Sequence, residues 1–298
     1  MKVLITGGSG FIGQALCASL SADGHTPLVI SRSPEAAAKA LPSNAVIRTK
    51  AEDFLDHKPE AIVNLAGEPI AEGRWTASKK KALLESRLDA TGSIVEFCKV
   101  ADPAPKVLVS ASAVGYYGAQ GETEVTEETP PNDEFSHQLC RQWEAAALQA
   151  EAQQVRVAIV RIGLVLDAGG GMLAKTTPLF KLGLGGKLGN GEQYMPWIHR
   201  NDMVAAIRFL LDNEQLKGPF NASAPNPVTN ADFTRALGEA LGRPAFLPAP
   251  AAALKLAFGE MSRLLLTGAK MKPARLEEAG FQFQFPELDQ ALADIFSA

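Results

Sequence analysis

Three glycines near the start of the chain have a spacing that suits the binding of phosphate groups. Gly7, Gly10 and Gly13 form GxxGxxG, and Gly8 adds the overlapping pattern GxGxxG. A side chain in so tight a turn would force a disfavoured φ or hold a pyrophosphate away from the backbone. The helix predicted to follow offers free N–H groups and the positive end of its dipole to the phosphates. The stretch therefore predicts a dinucleotide site, and an ordinary glycine-rich turn is the alternative.

The end of the second predicted strand indicates which dinucleotide is bound. Ser31 and Arg32 follow that strand about 20 residues after the glycines, where an Asp or Glu would bind the ribose hydroxyls of NAD. An Arg beside hydroxyl groups suits the 2′-phosphate of NADP instead. We therefore predict NADP(H) as the cofactor. The alternative for Arg32 is a solvent-facing side chain without a ligand.

Hydroxyl groups are concentrated at the end of the fifth predicted strand, in residues 110–118. Hydroxyls and phenols at the carboxyl end of a parallel strand are well placed for proton transfer to a substrate. Two further candidates lie in the loops opposite. The full set is Ser110, Ser112, Tyr116, Tyr117, Glu68 and His199. Spacing alone does not give proton-transfer geometry, so the choice among them stays open at this point.

Apolar runs predict the strands that hold these residues at one edge of a sheet. The runs cover residues 1–6, 26–31, 45–50, 61–67, 107–111 and 155–162. Helices are predicted between them, including one from residue 77 to about 100, N-capped by Thr76, and one over about 134–153. This alternation is typical of an α/β protein, and we predict a Rossmann-type doubly wound parallel sheet.

Small residues end the fourth predicted strand, at the edge where an open parallel sheet binds ligands. They let a cofactor come close. In the helix that follows, the spacing of Arg87 suits either a position at the sheet edge or an exposed i,i+4 ion pair. The predicted cofactor site comprises Gly7, Gly10, Phe11, Ile12, Gly13, Ser31, Arg32, Leu65, Ala66, Gly67 and Arg87.

The alternating pattern weakens after residue 161, where glycine-rich connections begin. We predict a dinucleotide-binding core over residues 1–165, with segments at about 193–225 returning to it, one of them a short strand over 193–199. Residues 166–298 are predicted to form a smaller, mostly helical part on the substrate side. No stretch has the composition of a linker to an independent second domain.

Composition excludes several classes of protein. A formal net charge of −4 and a pI near 5.7 give no bulk attraction to nucleic acid or to an acidic membrane surface. Three widely spaced cysteines without CxxC, and four dispersed histidines without HExxH, predict no disulfide framework and no metal site. No apolar run approaches the roughly 20 residues of a membrane helix, nor is there a signal-like leader. We expect a cytoplasmic protein with a small-molecule substrate; its oligomeric state stays open.

Several motifs, in order along nearly the whole chain, resemble the extended short-chain dehydrogenase/reductase superfamily of epimerases and dehydratases. They are TGGSGFIG, NLAGEPI, SASAVGYYG and PWIHRNDM. More narrowly, RWT, SRLDATG, CRQWEAAA, PLFKLGLGGKLGNGEQYMPWIH and GPFNASAP resemble the atypical "epimerase family protein" group of bacteria and mitochondria. That resemblance implies NADP(H) binding and a small C-terminal domain of the family's own, at about residues 245–295.

One departure from the superfamily concerns its catalytic pair, Tyr-x-x-x-Lys, which a Glu follows four residues later. When Glu144 is aligned with that Glu, Cys140 takes the place of the Lys and Ser136 that of the Tyr. A serine hydroxyl is far less acidic than a phenol, and a thiol is no fixed cation. The usual mechanism therefore does not carry over. The resemblance instead implies a substrate-binding hydroxyl at Ser112, or at Ser110 because this segment is one residue longer than usual.

Two hypotheses follow from these observations. The first is an NADP(H)-dependent oxidoreductase or epimerase-like enzyme that acts on a small carbonyl or hydroxyl compound, a sugar nucleotide being one candidate. In it Ser112 and Tyr117 are the predicted catalytic residues, and hydride passes to or from the nicotinamide. The second is a non-catalytic NADP(H)-binding sensor that keeps the fold after losing the catalytic pair.

Overall fold

Runs of buried Val, Ile and Leu form the main strands, because a strand covered on both faces needs no polar side. The computed structural model describes residues 1–297. Its strands are β1 Lys2–Thr6, β2 Thr26–Ile30, β3 Val46–Arg48, β4 Ala61–Asn64, β5 Val107–Ala113, β6 Glu124–Val125, β7 Arg156–Ile162, β8 Leu164–Leu166, β9 Tyr194–Met195, β10 Trp197–His199, β11 Gly218–Ala222, β12 Val228–Thr229 and β13 Lys270–Met271. Seven form one parallel sheet in the order β11-β7-β5-β4-β1-β2-β3. This confirms the predicted Rossmann-type fold.

Helices cover both faces of this sheet. They are α1 Phe11–Ala22, α2 Pro34–Ala38, α3 Ala77–Val100, α4 Phe135–Leu148, α5 Gly171–Lys181, α6 Arg200–Asp212, α7 Asn230–Ala240, α8 Ala251–Phe258, α9 Arg263–Leu266, α10 Ala274–Glu278 and α11 Leu288–Phe296. In β1, Val3 and Ile5 pack into one core with residues of α1 and α6, whereas Leu4 packs into a second core with residues of α3. The two cores show that the sheet is buried on both sides.

The order of the strands reverses between β1 and β4. From β1 the chain continues to β2 and β3 on one side, then returns to β4 and β5 on the other. A crevice opens at the carboxyl ends of strands where such a reversal occurs, and open α/β sheets bind ligands there. In this chain Gly7 and Leu65 directly follow the ends of β1 and β4, and both belong to the predicted cofactor site.

Two predicted elements differ from the structure in kind, while the strands predicted over 45–50 and 61–67 are only shorter than predicted. The helix predicted over about 134–153 ends at Leu148 and continues as a 3₁₀ turn over Gln149–Gln153. The strand predicted over 193–199 is divided into β9 and β10, because Pro196 has no N–H group with which to continue a ladder. By contrast, α3 spans the predicted residues and begins as predicted, since Thr76 Oγ1 accepts a hydrogen bond from the Lys79 N–H.

The later part of the chain packs a third core, formed mainly by α5, α7 and α11. β11 returns to the main sheet beside β7. The predicted division at residue 165 stays a prediction. Within residues 1–297 no helix has the length and apolarity that a membrane span requires. The same residues contain no group of three metal-binding side chains.

Candidate cofactor site and the adjoining polar network

The glycine turn after β1 has no room for side chains. Gly7 has a φ of +67°, and a Cβ atom on it would lie 2.8 Å from the carbonyl carbon of Leu65. A Cβ on Gly13 would lie 2.2 Å from the carbonyl oxygen of Gly7. Gly10 is the N-cap of α1 and has no side chain to satisfy the helix's first N–H groups. The turn therefore fits a pyrophosphate, since it brings bare backbone and a helix N-terminus to the switch point.

Arg32 lies beyond the end of β2 with an exposed side chain. Its neighbour Ser31 accepts a hydrogen bond from the Ser33 N–H at 3.2 Å. The pKa of Glu68 is lowered first by its bond with Lys79 and further by the charges of Arg32 and Arg87. The Arg32 charge is thus one of the smaller influences on Glu68, which lies in the loop after β4.

The structure decides between the two predicted positions of Arg87. The residue is 8% exposed, and its Cζ atom would lie 3.2 Å from a Cβ on Gly67. Its Nη1 donates to the Leu83 carbonyl at 2.8 Å, and its guanidinium lies over the Trp143 ring at 5.0 Å. Burial lowers the pKa of Arg87, while Cys140 and Glu68 oppose that effect. Arg87 thus lies at the sheet edge, not in an exposed ion pair.

Both predicted catalytic hydroxyls lie in the protein interior. Ser112 is 2% exposed, and its Oγ donates to Glu144 Oε1 at 2.6 Å. Tyr117 is completely buried; its hydroxyl donates to Asn221 Oδ1 at 2.6 Å and accepts from Arg161 Nη1 at 2.9 Å. Burial raises the pKa of Tyr117 to about 12. The structure brings Ser112 and Tyr117 together in one hydrogen-bonded network, with their hydroxyls turned to protein groups.

Arg161 is the centre of that network. Its Nε and Nη2 donate to the two oxygens of Glu144 at 2.9 and 3.0 Å. Burial lowers the pKa of Arg161, but the bonds with Glu144 outweigh burial and raise it above its ordinary value. Sequence reasoning did not select Arg161. The available signal was a charged residue inside the apolar strand RVAIVRI, because such a charge needs a buried partner.

Ser136 and Cys140, at the positions of the superfamily's catalytic pair, face the segment after β5. The Sγ of Cys140 donates to the Ala113 carbonyl at 3.8 Å, and a Cβ on Gly115 would lie 3.0 Å from the Cβ of Ser136. Burial, with Glu144 nearby, raises the pKa of Cys140 to about 11. The thiol therefore stays neutral, and α4 supplies no cation at this position.

The remaining candidates differ in their surroundings. Glu68 accepts from Lys79 Nζ at 2.9 Å, and the lowered pKa keeps it ionised, so it has no proton to donate near neutral pH. His199 Nδ1 accepts from the Asn201 N–H, and its ring packs against Phe285. Tyr116 is half-buried, and the Arg161 guanidinium lies 3.4 Å from its ring centroid.

We expect Tyr117→Phe to lower the free energy of unfolding by about 1 to 2 kcal/mol, because Arg161 and Asn221 each lose a buried hydrogen-bond partner. Urea unfolding measures the change. Tyr116→Phe is the matched control and should change stability by less than about 0.5 kcal/mol. Equal, small effects of both variants would show that the Tyr117 hydroxyl does not support the network.

His199 should make stability depend on pH. Burial lowers its pKa and the Arg200 charge acts in the same direction, against opposing carboxylates at Asp294, Asp202 and Asp167. The unfolded chain therefore begins to take up a proton near pH 6.5, at a higher pH than the folded chain does. Stability should fall as the pH drops from about 6.5 toward the lower pKa of the folded state, with a slope of at most about 1.4 kcal/mol per pH unit. The urea midpoint of unfolding, measured across this pH range, should depend less on pH in His199→Asn than in the unmodified chain. An equal pH dependence in both would show that His199 is not its source.

A glycine turn at the switch point of a parallel sheet defines the class of protein: a Rossmann-type dinucleotide-binding protein. The chain belongs to the NAD dependent epimerase/dehydratase family, which matches residues 3–223, and residues 249–295 match a domain of unknown function. The family predicted from the motifs is thereby confirmed.

Named relatives match almost the whole chain. The Epimerase family protein Mb2239 of Mycobacterium bovis is 42% identical, over 97% of this chain and 96% of its own. The chloroplastic Epimerase family protein SDR39U1 homolog of Arabidopsis thaliana is 39% identical, over 99% of this chain and 86% of its own. The crystal structure of human epimerase family protein SDR39U1 (isoform 2) with NADPH has a TM-score of 0.89 at 36% identity, covering 100% of this chain and 99% of its own.

Proposed function

We propose that this chain is an NADP(H)-dependent oxidoreductase or epimerase-like enzyme for a small carbonyl or hydroxyl compound. The observation that carries the proposal is the bare glycine turn at the switch point, with the exposed Arg32 just beyond the end of β2. The human relative that was crystallised with NADPH supports the choice of cofactor. Gly7, Gly10 and Gly13 would hold the pyrophosphate, with Phe11 and Ile12 at the start of α1.

The other predicted residues have distinct roles in this proposal. Ser31 and Arg32 would bind the 2′-phosphate, and Leu65, Ala66, Gly67 and Arg87 would line the cleft. When bound, the cofactor supplies the hydride. The chain must then orient the substrate and supply or accept one proton at its oxygen.

Tyr116 is the group we assign to that proton. Within residues 110–118, the side chains of Ser110, Ser112 and Tyr117 are at most 2% exposed, whereas Tyr116 is half-buried. A donor must reach the substrate oxygen, so the partly exposed phenol is the better placed. Ser112 and Tyr117 would position it through Glu144 and Arg161.

A non-catalytic NADP(H)-binding sensor is the second candidate. The neutral Cys140 and the fully engaged hydroxyls of Ser112 and Tyr117 favour it. The two functions are distinguished by titrating the protein with NADPH and then screening carbonyl compounds for loss of NADPH absorbance. If the chain is an enzyme, NADPH should be turned over with one of these compounds. Tyr116→Phe should then abolish turnover without lowering the free energy of unfolding. Tight NADPH binding without turnover, unchanged in Ser112→Ala, would support the sensor. Failure to bind NADPH would contradict both.

A further inference from the structure

The exposed large apolar side chains are concentrated in one part of the chain. Among residues 1–297 there are ten, and eight of them lie between residues 179 and 264. These are Leu179, Leu182, Leu184, Phe246, Leu247, Leu256, Phe258 and Leu264. Leu182 and Leu256 are 74% and 80% exposed. Scattered apolar residues are normal at a surface, whereas a contiguous exposed patch marks a place where a ligand or partner binds.

On one side these residues lie at the end of α5 and just after it, and α5 begins at the cofactor turn. A Cβ on Gly170, at the N-terminus of α5, would lie 2.3 Å from the ring of Phe11. One turn into the helix, Lys175 Nζ lies 4.0 Å from Glu72 in the loop that follows β4. Leu179 and Leu182 are four and seven residues after Lys175, so they continue the same helix face. That face therefore looks across the crevice toward the loop after β4.

On the other side the exposed residues lie in α8 or in the segment before it, and α8 meets the same loop. The Leu256 carbonyl accepts from Arg74 Nη2 at 3.1 Å, and a Cβ on Gly259 would lie 3.2 Å from Arg74 Nε. The two sides are joined, because the Leu247 N–H donates to the Gly185 carbonyl at 3.0 Å. We call Leu179, Leu182, Leu184, Phe246, Leu247 and Leu256 the apolar rim.

The cations around this loop already have partners. Lys175 pairs with Glu72, Lys80 lies 2.6 Å from Glu260, and Arg74 bonds with α8. Lys181 and Lys255 are exposed beside the rim. With the loop's own cations engaged in these contacts, an apolar chain is the better match, because it would remove the leucines from water.

We propose that the substrate has an extended apolar chain, which lies against the apolar rim while its carbonyl group enters the crevice beneath α5. The substrate class would then be an alkyl or similarly apolar carbonyl compound, not a sugar nucleotide. This inference rests on the proposed function, because the crevice is taken to hold the nicotinamide. The rim itself is defined independently of the cofactor.

The test uses straight-chain primary amides from butanamide to decanamide, whose carbonyl NADPH does not reduce. Calorimetric titration of the full chain, with and without NADPH, gives the dissociation constant of each amide. We expect affinity to rise about two- to fourfold for each added methylene, because each buried methylene contributes up to about 0.8 kcal/mol. Leu182→Ser and Leu256→Ser should flatten this dependence. Leu148→Ser, an exposed leucine of α4 outside the rim, should leave it unchanged.

Three results would overturn the inference. The amide affinity could be independent of chain length, or its dependence on chain length could persist in both Leu182→Ser and Leu256→Ser. UDP-glucose could also bind more tightly than decanamide. Self-association of the chain that Leu256→Ser abolishes would assign the rim to a second copy, and adsorption to phosphatidylcholine vesicles would assign it to a lipid surface. The dissociation constant of NADPH is measured in parallel and should be equal in all variants. Loss of NADPH binding in the unmodified chain would contradict the proposed function, while the amide series without cofactor still reports on the rim.

Discussion

Replacing Arg32 with Glu should weaken NADPH binding by about 100-fold, because the variant loses charge-assisted hydrogen bonds to the 2′-phosphate and places a like charge beside it. Binding of NADH should be unchanged or tighter, since a carboxylate at this position can accept hydrogen bonds from the ribose hydroxyls. Fluorescence titration with both cofactors measures the two dissociation constants. The preference between them should therefore reverse.

The control for this variant is Arg141→Glu, which makes the same change of net charge on the exposed side of α4. It should leave both dissociation constants unchanged, because exposed charges at a distance are screened by salt. If Arg32→Glu lowers NADPH and NADH binding equally, the side chain acts on the pyrophosphate or on folding. The assignment of NADP(H) from Arg32 would then be wrong.

Replacing Arg161 with Met should lower the free energy of unfolding by about 3 to 5 kcal/mol, because the ionised Glu144 would be left buried without its partner. Both side chains of the pair are almost completely buried, at 4% and 9% exposure. Urea unfolding measures the loss. Arg235→Met is the matched control: its ion pair with Glu239 is solvent-exposed, and an exposed pair of this kind contributes less than about 1 kcal/mol.

A second substitution separates the cost of leaving Glu144 unpaired from the loss of the other contacts of Arg161. Adding Glu144→Leu to Arg161→Met removes the unpaired charge and should recover part of the lost stability. If the double variant is less stable than Arg161→Met alone, Glu144 has partners that compensate for the missing guanidinium. Ser112, whose hydroxyl donates to Glu144, would be the first residue to examine in that case.

Local patterns were sufficient to predict the fold and the position of the glycine turn. Strand, turn and helix at residues 1–22 are encoded by neighbouring residues, since apolar runs and glycine spacing act over a few positions along the chain. Thr76 is a further example: its side chain and the Lys79 N–H that it caps are three residues apart. Helix ends were less accurate, as the 3₁₀ turn after Leu148 shows, because packing decides where a helix stops.

The sequence alone determined the fold class and the two positions, Gly7 and Gly13, that must be glycine. It also predicts that Arg32 binds a 2′-phosphate, and that assignment stays a prediction. Only the tertiary structure decided which hydroxyls of residues 110–118 are engaged, because their partners Glu144, Arg161 and Asn221 lie 32 to 104 residues away along the chain. It likewise turned Arg87 to the sheet edge and joined α5 and α8 around one loop. Burial and long-range hydrogen bonding depend on how the layers pack, and no spacing within one segment contains that information.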